Sequence, residues 1–209
     1  MADQPRSVKI SEDERGGWSS DRPRRDGAPP RPPDVSVRCR VLKPADQLRY
    51  SPGSLLVIVS GSAAERDRFA ERLIDSRALL SLDKVRAVLA GRAGEEEIAN
   101  RAPELLDGAI RKRLESGQTV VILADTLGSD ERERYVRMAV AAKRPRHLIL
   151  VEAPATDVDP DDLATLNDLR RRLDSGELGA EGFQTALRIG GQAFGELKRI
   201  LFRPPPRDD

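Results

Sequence analysis

Cysteine is nearly absent. Of 209 residues only Cys39 is one, so no disulfide can form within the chain, and a cytoplasmic setting is the expectation. Aromatic residues make up 3%, which leaves Leu, Val, Ile and Ala to build the core. An excess of either charge is missing as well: 36 Lys and Arg face 35 Asp and Glu, a formal net charge of +1. That balance lends no support to nucleic acid as a partner and none to an anionic membrane. Long apolar runs are missing too. Leu55 to Val59 is far too short to span a bilayer. The start, Met1-Ala-Asp-Gln-Pro-Arg, has no apolar segment of the secretory kind. What remains is a length that suits one α/β domain with a tail.

Residues 1–34 are rich in Arg, Asp, Pro, Gly and Ser. They read as a disordered arm, because they cannot bury enough apolar surface to offset the entropy of ordering. Trp18 is its one large apolar residue. Residues 35–54 read as an extended lead-in closed by the turn Ser51-Pro-Gly-Ser. A domain over 55–203 follows, with a helical C-terminal part over 158–203 and a tail over 204–209. Within it, the buried runs Leu55–Val59, Thr119–Leu123 and Leu148–Val151 predict strands covered on both faces. Ala78–Leu80 is a shorter candidate. Helical spacing predicts helices over 65–75, 82–90, 95–116 (with Gly117 as its C-cap) and 129–143. Two more are predicted over 160–174 and 180–201. The alternation implies a three-layer parallel sheet flanked by helices. No internal repeat is visible.

The segment from Leu55 to Ile74 is a strand, a small-residue turn and an amphipathic helix. A phosphate loop, GxxxxGK[ST], sits at such a joint: its glycines let backbone N–H groups face phosphate, its Lys neutralises charge, and its hydroxyl holds Mg²⁺. Over that template Ser60 and Glu65 fall on the glycines, Arg66 on the Lys, and Asp67 on the hydroxyl residue. Gly61 and Ser62 still permit a tight turn. Glu65 places a carboxylate where phosphate oxygens would lie, and Asp67 adds another. The same residues also suit an ordinary strand-to-helix joint, with Glu65 favourable at a helix N-terminus.

Three ungapped blocks carry a resemblance. They are Gly53-Ser-Leu-Leu-Val-Ile-Val-Ser-Gly-Ser-Ala-Ala-Glu-Arg-Asp-Arg-Phe-Ala, Ser81-Leu-Asp-Lys-Val-Arg-Ala-Val-Leu-Ala-Gly, and Gly117-Gln-Thr-Val-Val-Ile-Leu-Ala-Asp-Thr-Leu-Gly-Ser-Asp-Glu-Arg. Together, over about residues 53–152, they resemble the P-loop kinases of the bacterial and phage polynucleotide-kinase type, a group of AAA-family ATPases. In that group the third block reads GxTVVVDATNLTPEER. The Asp that ends its strand is Leu123 here, its Asn is Thr126, and Asp125 stands two residues on, where strand alternation keeps the same face. The resemblance implies that Asp83 acts as base on an acceptor hydroxyl and that Arg86 binds an acceptor phosphate or supports Asp83. It also implies a catalytic place for Arg132. Gly61, Ser62, Arg66, Asp67 and Asp125 are the implied nucleotide-side residues, and no metal ligand is assigned. An i, i+3 surface salt bridge accounts equally for Asp83 and Arg86, and a solvated helix charge for Arg132.

Asn167, Arg170, Arg171 and Arg172 lie where such kinases carry a lid, but Asp168 and Asp174 make a charged helix face the preferred reading. His147 stands alone, without metal-ligand companions. Cys39 has no triad partner, and Gly190-Gly191 reads as a helix break. The sequence therefore points to a kinase-like protein with a degenerate phosphate loop, working as a binding or regulatory module with a protein partner. Two alternatives stand beside it: an active phosphotransferase using ATP and Mg²⁺ on a polynucleotide 5′-hydroxyl or a small alcohol, and a structural or assembly protein. No cofactor is fixed outside the active alternative.

Overall fold

The structure, a computed structural model, describes residues 38–204. The arm over 1–34 with Trp18, and residues 205–209 of the tail, lie outside the described residues.

Six strands make one parallel sheet: β1 (Arg40–Leu42), β3 (Leu55–Ser60), β4 (Leu79–Ser81), β5 (Val120–Leu123), β6 (Arg146–Val151) and β7 (Thr185–Ile189). Their order across the sheet is β1-β7-β6-β3-β5-β4. β3 is central, with Ile58 opposite Leu123 of β5 and Ile149 of β6. Its residues Leu55 to Val59 are fully buried, as a strand covered on both faces requires. Leu55, Val57 and Val59 pack on one side with Leu106, Ile110 and Leu114 of α3 (Glu95–Glu115), Tyr135 and Ala139 of α4 (Ser129–Ala141), and Leu166 and Leu169 of α5 (Leu163–Asp174). Leu56 and Ile58 pack on the other side with Phe69 and Leu73 of α1 (Ala63–Leu73). That second side is completed by β2 (Gln47–Tyr50) and β8 (Arg199–Phe202), a parallel pair that lends Leu48, Tyr50 and Ile200. The arrangement is helices, parallel sheet, helices, as the alternation implies.

Two expectations are corrected. Residues 35–54 are more than a lead-in, because β1 joins the main sheet and β2 the small one. The helix over 180–201 is not formed. In its place stand β7, the short helix α6 (Gly191–Glu196) and β8. β7 lies between β1 and β6, and Phe183, Ala186, Leu187 and Ile189 are buried there. Ala186 and Leu187 go to opposite faces, a period of two that a helix cannot supply. Gly190-Gly191 is the joint from β7 into α6, not a break within a helix. A Cβ at Gly190 would lie 2.5 Å from that of Glu152, so the joint is packed too closely for any side chain.

Candidate functional site

At the carboxyl end of the sheet, β3 passes into α1 through only Gly61 and Ser62. Ser62 caps the helix: its side chain accepts from the Glu65 N–H at 3.5 Å, and its own N–H donates to Ser60 Oγ at 3.2 Å. A Cβ on Gly61 would meet Leu166 and Val158 at 3.1 Å. Apolar side chains of α5 and the segment before it therefore press on this turn. Glu65 is tied to Arg68 at 2.8 Å.

Arg66, in the first turn of α1, is buried with its side chain 6% exposed. Its Nη1 donates to the carbonyl of Ala124 at 2.5 Å and its Nε to Asp67 Oδ1 at 3.0 Å. The same Nη1 is 4.0 Å from Asp125 Oδ1. Asp125 Oδ2 lies 3.6 Å from Arg86 Nη1, which donates to Asp83 Oδ1 at 3.1 Å. Asp83 and Arg86 stand on α2 (Leu82–Leu89), which Ser81 caps by accepting from Lys84 N–H. Charges thus alternate from Asp67 through Arg66, Asp125 and Arg86 to Asp83, linking α1, the loop after β5 and α2. The outer links are solvated and each contributes less than about 1 kcal/mol. The Arg66 end is buried, and there loss of one partner weighs more. Beside the chain, between α1, β4 and α2, opens a cleft of about 380 Å³ lined in part by Asp67, Asp83 and Leu123.

Glu131 holds the loop after β5. It accepts from Asp125 N–H at 3.0 Å, Thr126 N–H at 2.8 Å, the Thr126 hydroxyl at 2.9 Å and the Tyr135 hydroxyl at 2.7 Å. The sequence reading passed over it, although a Glu three residues into a helix, reaching back to N–H groups before it, is a legible signal.

Of the residues expected at the site, Gly61, Ser62, Arg66, Asp67, Asp83, Arg86 and Asp125 gather at this end of the sheet. Arg132 does not join them. It is 2% exposed and gives Nε and Nη2 to the two oxygens of Glu181, both at 2.9 Å, and Nη1 to the carbonyls of Leu127 and Gly128. Neither a catalytic place nor a solvated helix charge describes it: it binds α4 to the segment ahead of β7. The arginines of α5 are likewise engaged, Arg170 with Glu152, Arg171 with Asp168 and Arg172 with Glu181. Burial works to raise the Glu152 pKa, but hydrogen bonds from Arg170 and Arg188 hold it below the usual range. The charged-face reading of that helix fits these pairs.

His147 lies at the opposite end of the strands, buried, with Nδ1 2.8 Å from Thr185 Oγ1 and its ring stacked 4.5 Å from that of Tyr50. Burial, with the neighbouring charge of Arg146, lowers its pKa to about 4. Burial pushes the Cys39 thiol up to about 11, which denies it a thiolate at neutral pH. Among the described residues no group of three or more His, Cys, Asp or Glu stands in position to hold a metal ion, and no helix is long and apolar enough to cross a membrane.

Residues 61–159 match the family model of an AAA domain. No curated protein matches the chain. Among solved structures, one from the PezAT chromosomal toxin–antitoxin system of Streptococcus pneumoniae is 13% identical, with 68% of this chain and 69% of that chain covered and a TM-score of 0.50. A protein assigned as a kinase in Chloroflexus aurantiacus is 17% identical over 69% of this chain and 88% of that one, with a TM-score of 0.41. The tunicamycin resistance protein of Deinococcus radiodurans is 16% identical over 73% and 99%, with a TM-score of 0.36. Residues 61–159 are thus similar to an AAA domain, and the chain shares its fold with the structure from the PezAT system.

Proposed function

We propose that this chain is a ligand-binding or regulatory module on a P-loop kinase-like scaffold, with weak or absent ATP chemistry, acting through the cleft beside Asp83. The observation that carries the reading is the length of the β3–α1 connection. A phosphate loop wraps phosphate with a run of inward-facing N–H groups. Here two residues make the turn, and Ser62 takes the Glu65 N–H as a cap. Three further facts support the same reading. Val158 and Leu166 crowd Gly61. The one cation at the Lys position, Arg66, is buried and committed to Ala124 and Asp67. The apolar Leu123 ends β5 where a carboxylate for Mg²⁺ would stand. These features weigh against Mg²⁺·ATP as the ligand of this turn. A cytoplasmic setting and a protein partner belong to this proposal as well.

The test is isothermal titration with Mg²⁺·ATP. The expected outcome is no binding tighter than about millimolar, near −4 kcal/mol. Micromolar binding that Arg66→Ala abolishes would overturn the reading in favour of an active phosphotransferase on a polynucleotide 5′-hydroxyl or a small alcohol. In that case Arg66 serves for Lys, Asp83 as base, and Asp67 or Asp125 with Mg²⁺.

A further inference from the structure

Charge is not spread evenly over this chain. Residues 38–50 and 196–204 hold seven Lys and Arg against Asp46 and Glu196, while residues 51–195 hold 21 against 24 Asp and Glu. The fold brings the two basic segments onto one face. β2 and β8 pair with Gln47 opposite Arg199 and Arg49 opposite Leu201. Leu48, Tyr50 and Ile200 are buried against the sheet, so alternation turns Arg49, Arg199 and Leu201 outward. The Lys198 N–H donates to the Asp46 carbonyl at 2.8 Å, which sets the turn carrying Lys43 beside the start of β8. Arg40, two residues before Leu42, looks to the same side. All seven cations are exposed. Among the described residues none of them is ion-paired, although twelve arginines elsewhere are.

A second surface has the opposite sign. Asp157, Asp159, Asp161 and Asp162 fall within six residues, in a stretch over 153–169 that has no Lys or Arg. All four are exposed, and none is ion-paired among the described residues. Val158 anchors the segment in the core on the α5 side of the sheet, whereas β2 and β8 cover the α1 side. The sheet therefore stands between the two surfaces, and neither neutralises the other within one chain. Each shows an apolar residue among its charges: Leu201, half-buried on the ribbon, and Leu163, 39% exposed after Asp162. Other anions fit the basic face less well. Single-stranded nucleic acid calls for outward aromatic rings and a bilayer for apolar side chains to insert, but Tyr50 and Phe202 pack inward.

We infer that the β2–β8 face docks the acidic segment 157–162 of a second copy of this chain, head to tail. Such a contact is heterologous: the docked copy still offers its own ribbon face, so chains add on into a ring or an open filament. Its ion pairs are solvated, which makes the association weak and salt-dependent. Neither surface includes a residue that lines the cleft beside Asp83, so the head-to-tail contact and occupancy of that cleft are independent.

The experiment is sedimentation velocity on the full chain over a concentration series, in about 10 mM and about 500 mM NaCl, which takes the screening length from about 30 Å to a few ångströms. The mean mass is expected to rise past that of a dimer at low salt and to fall to the monomer at high salt. Arg49→Glu with Arg199→Glu reverses the ribbon. Asp161→Lys with Asp162→Lys reverses the segment, on side chains that make no ion pair. Each double variant alone is expected to associate at least about tenfold more weakly, because like charges now meet. An equimolar mixture of the two restores opposite charges at both kinds of contact and is expected to recover association, which an unfolded variant could not do. A wild-type chain that stays monomeric at low salt, association that survives both reversals, or a mixture no tighter than its parts would each overturn the inference. So would a monomer that binds a duplex of about 20 base pairs and loses it in the ribbon variant, since the face would then belong to nucleic acid.

Discussion

Arg132 and Arg86 carry the same charge and spend it differently. Arg132 is sealed between Glu181 and two carbonyls, so Arg132→Ala leaves buried acceptors unpaired and is expected to cost about 3–5 kcal/mol. Arg86 is 44% exposed and its pairs are solvated, so Arg86→Ala should cost less than about 1 kcal/mol. Urea unfolding of both variants checks the contrast, and equal costs would contradict it. His147 gives a second residue-scale expectation. Its pKa falls from 6.5 to about 4 on folding, so the neutral form is the stabilising one. That contribution is complete above pH 6.5 and is lost as pH falls towards 4. Between pH 6.5 and 5 the loss should reach about 2 kcal/mol, at 1.36 kcal/mol per pKa unit. His147→Gln should flatten that slope, and an unchanged slope in the variant would refute the assignment. Glu152, also held low in the fold, loses its contribution on acidification too, but at lower pH, so the window isolates the histidine.

At the scale of elements, legibility followed burial pattern. The runs at β3, β5 and β6 were readable because each is apolar on both faces. β7 was not, because Thr185-Ala-Leu-Arg-Ile offers one polar and one charged residue, and a long stretch of mixed residues around it imitates helical spacing. What decides for the strand is a place between β1 and β6 that only tertiary structure shows. Gly190 marks the joint. With its absent Cβ 2.5 Å from Glu152 Cβ, Gly190→Ala must push β6 and β7 apart at their ends. The expected cost is about 1–3 kcal/mol, the range of overpacked sites. Gly191→Ala has open space but a positive φ of 53°, and should cost about 1 kcal/mol. Thermal unfolding of the pair separates clash from backbone strain, and a harmless Gly190→Ala would show that the joint is looser than drawn.

Across the whole molecule the site was legible by position and illegible by geometry. Sequence blocks singled out Arg66, Asp83 and Asp125, which the structure brings into one chain of ion pairs. They did not foretell that Arg66 turns inward to the Ala124 carbonyl, because the direction of a long side chain depends on what packs around it. That direction gives the fold a tie between α1 and the end of β5. Arg66→Met deletes the charge, strands the Ala124 carbonyl and leaves Asp67 and Asp125 without their shared cation. It is expected to cost about 2–3 kcal/mol, mostly the price of the unmade buried hydrogen bond. Arg66→Lys keeps a charge on a point-like head that cannot serve Ala124 and Asp67 together, and should recover about half of that loss. High salt screens the exposed Arg86–Asp83 link and leaves the buried end largely untouched, so the cost of Arg66→Met should persist in 1 M NaCl. Hydrogen exchange adds the spatial readout: the variant should speed exchange at the start of α1 and around residues 124–128 while α5 and β7 stay protected. Loss confined to salt-sensitive stability, or exchange that rises evenly through the sheet, would mean that Arg66 is a surface charge and that α1 is held by Phe69 and Leu73 alone.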